Sequence, residues 1–346
     1  MVGGPGMTVG VIGLGRIGAH HARALRGLPA VGELLVADAD EARAAQVAAE
    51  LGATATAVDA LFEPGAADAI VVATPTAAHL PLLRRAVDAG IPAFCEKPVS
   101  LEPAPLDEAI REIEDAGAYV QIGFQRRFDA GYRALRDAVA AGTLGTLLVL
   151  RAATHDPAPP PEDFIAGSGG IFRDLHSHDF DAIRFVTGRE IVEVYADGSV
   201  RETAWFERHG DVDAAVATLR LDDGALAVVT GTRRDPRGYD VRLEAFGTGD
   251  SLVAGLDDRS PLRSVEPGVK PQRRGYESFL DRFGAAYRAE LAAFVDAVAT
   301  GAPSPCTLAD ARAALRVALA ADRSRAERRP VAVEEVTPTH TAGFVV

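Results

Sequence analysis

Thr8-Val9-Gly10-Val11-Ile12-Gly13-Leu14-Gly15-Arg16-Ile17-Gly18 is the stretch on which the fold turns. Residues 8–12 are short, largely apolar and partly β-branched, the composition of a buried strand. Gly13 to Gly18 fits G-x-G-x-x-G, and Arg16 to Arg26 reads as a helix. A strand that passes through a glycine turn directly into a helix is the context a dinucleotide loop requires. Gly13 permits the tight turn, Gly15 lets a pyrophosphate approach the backbone, and Gly18 allows close helix–strand packing. The helix N-terminus around Arg16 and Ile17 offers amide donors and a partial positive charge to phosphates. Asp38 follows Gly18 by twenty residues, at the end of a second apolar run over 33–37. That is the place of a carboxylate that binds the ribose 2′-hydroxyl. The glycines alone also suit a turn in an unrelated α/β protein. Strand, glycines, helix, second strand and terminal acid together point to a dinucleotide. A carboxylate repels a 2′-phosphate, so Asp38 favours NAD over NADP, with Arg43 in the next helix as the cation within reach.

Working outward, Asp40 caps a helix that runs to Leu51 and stops at Gly52. Strands are expected at 68–73, 91–95 and 118–124, with helices over 77–89 and 104–116. This alternation predicts a doubly wound parallel sheet. After residue 124 the pattern changes. A helix over 127–141 leads to a strand over 145–154 and a proline-rich loop, Pro157 to Pro161. One helix is expected from Gly170 or Phe172 to Val186. Strands near 190–198, 212–221, 224–232 and 239–247 follow, joined by short turns, as in an antiparallel sheet. Helices over 277–300 and 307–325 close the chain. The expectation is α/β: a Rossmann domain over 1–124, then an α+β domain over 125–346 with a large, open, mainly antiparallel sheet.

Composition narrows the class. The chain has 346 residues, 48% hydrophobic and 25% charged, long enough for two cores. Its net charge of −13 disfavours nucleic-acid binding. No apolar run reaches the roughly 18 residues of a membrane helix. Two cysteines, Cys95 and Cys306, make neither a disulfide framework nor a cysteine-rich zinc site, and a reducing cytoplasm is expected. Met1 to Gly6 reads as a flexible leader without a secretory pattern. The tail after Pro330 reads as extended.

Of 36 cationic side chains only Lys97 and Lys270 are lysines. A lysine kept among arginines suggests work that arginine cannot do, since its pKa moves readily on burial. Lys270 reads as surface. Lys97 ends Ala93-Phe94-Cys95-Glu96-Lys97-Pro98, at the carboxyl end of a strand, where α/β proteins bind ligands. The second chemical cluster is Gly169 to Asp181. Asp174 and His178 are four apart and share a helix face. A histidine oriented by a carboxylate suits proton transfer near neutral pH. A polar, solvated helix face is the bland alternative. A metal pair of His176 and His178 fits poorly, because residues two apart on a helix diverge, and no metal is expected.

These motifs together resemble the glucose–fructose oxidoreductase/inositol dehydrogenase family, its bacterial inositol 2-dehydrogenases above all. The likeness runs from Gly13–Gly18 through Thr74-Pro75 with His79 and Glu96-Lys97-Pro98 to Asp174 and His178. It includes Gly123-Phe124-Gln125-Arg126-Arg127-Phe128-Asp129 and Gly238-Tyr239-Asp240. The resemblance implies a catalytic triad of Lys97, Asp174 and His178, with His178 as base. It implies cofactor contacts at Gly13, Gly15, Arg16, Ile17, Gly18, Asp38, Thr74, Pro75, His79, Glu96 and Lys97. Arg127, His155 and Tyr239 would join the triad around a cyclic polyol such as myo-inositol, in a homotetramer packed through the open sheet. His79 and Tyr239 each have a structural reading as well, and His20 and His21 read as structural. Leu175-His176-Ser177 and Gln125 depart from the pattern of inositol enzymes and leave the polyol open. The rivals are the same chemistry on another inositol, a sugar or an aminocyclitol precursor, an NAD-dependent glycosidase, and a non-catalytic cofactor-sensing regulator.

Overall fold

The computed structural model describes residues 6–269 and 274–337. Lys270, the leader up to residue 5 and the tail from 338 lie outside the described residues. The chain forms two compact units, Met1–Gln125 with Ala285–Arg312, and Arg126–Gly284 with Ala313–Val346.

In the first unit, β1 (Met7–Ile12), β2 (Val31–Ala37), β3 (Thr54–Ala55), β4 (Ala69–Val72), β5 (Ala93–Glu96) and β6 (Val120–Gly123) form one sheet. Its order is β3-β2-β1-β4-β5-β6, with every pairing parallel. Strand order reverses between β1 and β4, which places a ligand crevice at their carboxyl ends. Helices α1 (Arg16–Arg26), α2 (Glu41–Leu51), α3 (His79–Asp88) and α4 (Pro103–Asp115) connect the strands. Asp40 accepts the Arg43 amide at the start of α2, and Gly52 closes that helix with a φ of 60°, as its residue types require. Val9, Val11, Val36, Val71 and Phe94 are fully buried. β3 was not expected: its two residues are exposed and carry no apolar pattern.

The second unit holds α5 (Ala130–Ala140), β7 (Leu147–His155), α6 (Glu162–Ser168), α7 (Ile171–Asp174), α8 (Ser177–Thr187), β8 (Ile191–Ser199), α9 (Trp205–Arg208), β9 (Ala214–Leu221), β10 (Leu226–Thr232), β11 (Asp240–Gly247) and β12 (Ser251–Ala254). Its sheet runs β12-β11-β7-β10-β9-β8-β13, where β13 is Val331–Ala332. Pairing is antiparallel except between β7 and β10, which are parallel. One face is covered by α8; the other leaves Tyr195 and Val216 about half exposed. The segment after Pro330, expected to be merely extended, adds a strand to β8 and then a short 3-10 turn over Val333–Glu335.

Two further expectations change. The single helix from about 170 to Val186 is two pieces, α7 and α8. The His176 amide reaches back five residues to Ile171 O at 3.0 Å, a π-type turn that interrupts the α-helical ladder. The cut at residue 124 also does not describe the closing helices. α10 (Phe279–Thr300) starts in the second unit and ends in the first, and α11 (Leu308–Glu327) does the reverse. Leu291, Phe294 and Val295 belong to the core of the first unit, with Phe94 and Leu25. An apolar stripe goes to the surface that buries it, whatever its place in the chain.

Candidate active site

The glycine loop has the form its motif demands. Gly13 has a φ of 87°, and a Cβ there would stand 2.8 Å from Ala73 O. A Cβ on Gly18 would collide with Gly13 O, whereas one on Gly15 meets nothing within 4 Å. Gly15 and Arg16 are exposed and Ile17 half-buried, at an α1 N-terminus that no side chain caps. An open glycine before uncapped amides fits a dinucleotide pyrophosphate. Asp38 accepts the Leu14 amide at 2.6 Å and the Asp40 amide at 2.9 Å, and Arg43 stands 3.4 Å away. Burial works to raise the Asp38 pKa, but those amides and Arg43 outweigh it and hold the carboxyl below its ordinary range. The Thr74 hydroxyl is buried without a hydrogen-bond partner.

Around Lys97 the chain is braced from beneath. Glu96 Oε1 is 2.6 Å from His21 Nε2, and its Oε2 accepts the Lys97 amide at 3.2 Å. His21 is fully buried on α1, so the helix of the glycine loop is tied to the end of β5. His79 is 1% exposed, with Nε2 2.8 Å from Thr74 O and Nδ1 2.8 Å from Pro98 O. Burial holds its pKa below the usual histidine value, although the two carbonyls favour the charged ring. Both Glu96 and His79 thus act on the backbone that presents Thr74 and Lys97, rather than presenting side chains at a surface.

In the second unit Asp174 ends α7 and His178 lies in the first turn of α8, each half-buried. Asp211 caps α7 by accepting the Ile171 amide at 2.9 Å, and Arg173 pairs with Asp322 at 3.0 Å. Asp174 Oδ2 is 2.9 Å from Arg233 Nη2, and Arg233 Nη1 donates to Asp156 Oδ2 at 3.2 Å. His155 Nδ1 is 2.8 Å from Thr232 Oγ1, whose hydroxyl donates to Arg234 O at 2.9 Å. That hydroxyl has one proton, so His155 must donate from Nδ1, which makes Nε2 the acceptor of a neutral ring. Burial also keeps the His155 pKa low. Tyr239 is buried, edge-on to Phe283, and burial pushes its phenol pKa up.

Residues 7–124 match the model of an oxidoreductase family with an NAD-binding Rossmann fold, and residues 132–253 match that of the GFO/IDH/MocA C-terminal domain. The chain belongs to the GFO/IDH/MocA oxidoreductase family. It is an NAD-dependent oxidoreductase with a polyol-enzyme kinship. It is 41% identical to a myo-inositol dehydrogenase of Streptomyces leeuwenhoekii over 92% of this chain and 97% of that one. It is 39% identical to the myo-inositol 2-dehydrogenase of Thermotoga maritima, over 95% of this chain and 99% of the other. Among solved structures, scyllo-inositol dehydrogenase of Lactobacillus casei with bound NAD(H) and scyllo-inositol superimposes with a TM-score of 0.87. That pair is 28% identical, covering 95% of this chain and 99% of the other.

Within this member of the family, two polar residues sit deeper than their motifs imply. Arg127 makes a bidentate, buried pair with Asp181, at 2.6 and 2.9 Å, and stacks over Phe185. Its guanidinium holds the start of the second unit to α8. His176 is fully buried, with Nδ1 2.8 Å from Asp179 and its ring against Gly231. It is a core residue, and so no part of a subunit contact. Asp179 in turn takes Arg126 at 2.5 Å and Thr154 at 2.8 Å. Burial would raise the Asp179 pKa, but Arg126 and His176 hold it low. Arg233 escaped the sequence reading altogether. Its only signal is an arginine directly after an apolar strand.

Proposed function

We propose that this enzyme oxidises a secondary ring hydroxyl of a cyclic polyol, myo-inositol foremost, to the ketone 2-keto-myo-inositol. The observation that carries the reading is the match to two relatives named for myo-inositol oxidation over more than nine-tenths of the chain, with Lys97, Asp174 and His178 all present. Gly13, Gly15, Gly18 and the α1 amides would hold the cofactor's phosphates, Asp38 its adenosine ribose, and Thr74 and Pro75 would border it. When bound, NAD supplies the hydride acceptor. His178 takes the hydroxyl proton as general base. Lys97 donates a hydrogen bond to the same oxygen and stabilises its developing negative charge. Asp174 orients His178 or a neighbouring hydroxyl. His155 Nε2 accepts from another ring hydroxyl, and Tyr239 bounds the sugar-like face.

The test is a panel of inositols, sugars and aminocyclitol precursors with NAD, and NADP in parallel, followed by absorbance of the reduced cofactor. Net NADH with myo-inositol supports the reading; turnover without net NADH points to an NAD-recycling glycosidase, and no turnover at all to a cofactor sensor. scyllo-Inositol is the second substrate to try, because the solved relative that holds it superimposes across most of the chain. We further propose a cytoplasmic homotetramer that packs through the open face of the second sheet, where Tyr195 and Val216 are exposed.

A further inference from the structure

We propose that Arg233 is a positioning residue for this reaction: it holds the Asp174 carboxylate in one place and favours its ionised form, and so governs how Asp174 orients His178 or substrate. The inference rests on the catalytic role proposed above for Asp174. The guanidinium is 2% exposed and lies between two carboxylates, 2.9 Å from Asp174 Oδ2 and 3.2 Å from Asp156 Oδ2. The sheet explains why. β7 and β10 run parallel with His155 opposite Thr232, so the next residues, Asp156 and Arg233, leave adjacent strand ends side by side. The Asp156 amide is bound to Thr232 O at 2.9 Å, and the Arg233 amide to Asp213 O at 2.8 Å. Both backbones are therefore fixed, and the arginine fork spans the gap to α7. With Oδ2 committed to Arg233, the work of Asp174 falls chiefly to Oδ1.

The charged surroundings make the cation necessary. Asp174, Asp156 after β7 and Asp211 before β9 all act on Arg233, and Arg173, the neighbour of Asp174 in the chain, pairs with Asp322 of α11. Carboxylates crowded this closely favour protonation of one of them unless a cation lies between. Lysine offers one compact point charge, whereas the guanidinium sets Nη1 against Asp156 and Nη2 against Asp174, so lysine cannot serve both carboxylates in the same geometry.

Two variants test this. Arg233→Lys keeps the charge and should fold; its kcat on the oxidised polyol should fall by about 10²-fold, the penalty of a misplaced catalytic group. NAD affinity by calorimetry and the melting temperature should stay close to wild type. Arg233→Met with Asp156→Asn removes a matched pair of charges, and the acid limb of kcat/KM should then move up by about 1 pH unit or more as Asp174 loses its cation. A wild-type kcat in R233K, or an unmoved acid limb in the double variant, overturns the proposal. If the wild-type enzyme oxidises no polyol, the functional reading fails by itself. The Arg233 inference is then decided by 13C-carboxyl titration of Asp174, and identical curves in wild type and R233K overturn it.

Discussion

Lys97 and Asp38 show how much one side chain can announce. Lys97 is one of two lysines among 36 cations, and it stands half-buried at the end of β5 with its amide held by Glu96. If it stabilises charge on the reacting oxygen, Lys97→Ala should lower kcat about 10²- to 10³-fold, a loss far larger than any change in NAD affinity by calorimetry. Asp38 is poised differently. Its carboxylate faces two amides and Arg43, whose guanidinium lies 3.4 Å from both oxygens. Asp38→Ser removes the repulsion of a 2′-phosphate and releases Arg43 to pair with one. The ratio of kcat/KM for NADP to that for NAD should rise by about tenfold or more, read from initial rates with each cofactor.

At the level of elements, the glycine loop and α7 are held by opposite means. The loop depends on missing atoms. In Gly18→Ala the new methyl would overlap Gly13 O, so α1 must move away from β1. NAD binding should weaken by at least about tenfold in calorimetric titration, with the second unit still folded by circular dichroism. α7 depends instead on charges: Asp211 caps it and Asp322 pairs with Arg173. Burial, more than Arg173 and Arg325 can offset, raises the Asp322 pKa to about 6. A carboxyl raised in the folded state binds its proton more tightly there than when unfolded. The stability this gives is fully present below the unfolded pKa near 3.8 and is lost as pH rises through about 6. Asp322→Asn should therefore match wild type in unfolding free energy at low pH and exceed it at pH values above 7 by about 1–3 kcal/mol, read from melting curves. Equal melting curves at both ends of the pH range would exclude this.

At the scale of the molecule, the proposed tetramer would pack through the open sheet face. Tyr195 on β8 and Val216 on β9 are exposed on strands that otherwise alternate buried and exposed residues. Val216→Glu puts a charge into that face and should convert the proposed tetramer to smaller species by light scattering, with its melting transition still cooperative. An unchanged mass would remove the open face from the assembly.

The N-terminal sheet, its glycine loop and Asp38 were legible in the sequence because each rests on local chemistry. Positive φ needs glycine, a buried parallel strand needs a short apolar run, and a capped helix needs its aspartate. Lys97, Asp174 and His178 stand out along the chain by residue type and spacing, but their catalytic roles come from the family resemblance. Tertiary structure alone decided the rest. β3 and β13 are two-residue strands with no pattern of their own, made by the neighbours that offer hydrogen bonds. The closing helices divide between two cores because burial follows the nearest apolar surface. Arg127 found its partner in Asp181, and His176 became a core residue when Asp179 took it up. Arg233 reached Asp174 only because β7 and β10, some 75 residues apart in sequence, pair in parallel and bring Asp156 and Arg233 out together. Such a meeting depends on register between distant strands, and register is set by the packing of the whole sheet.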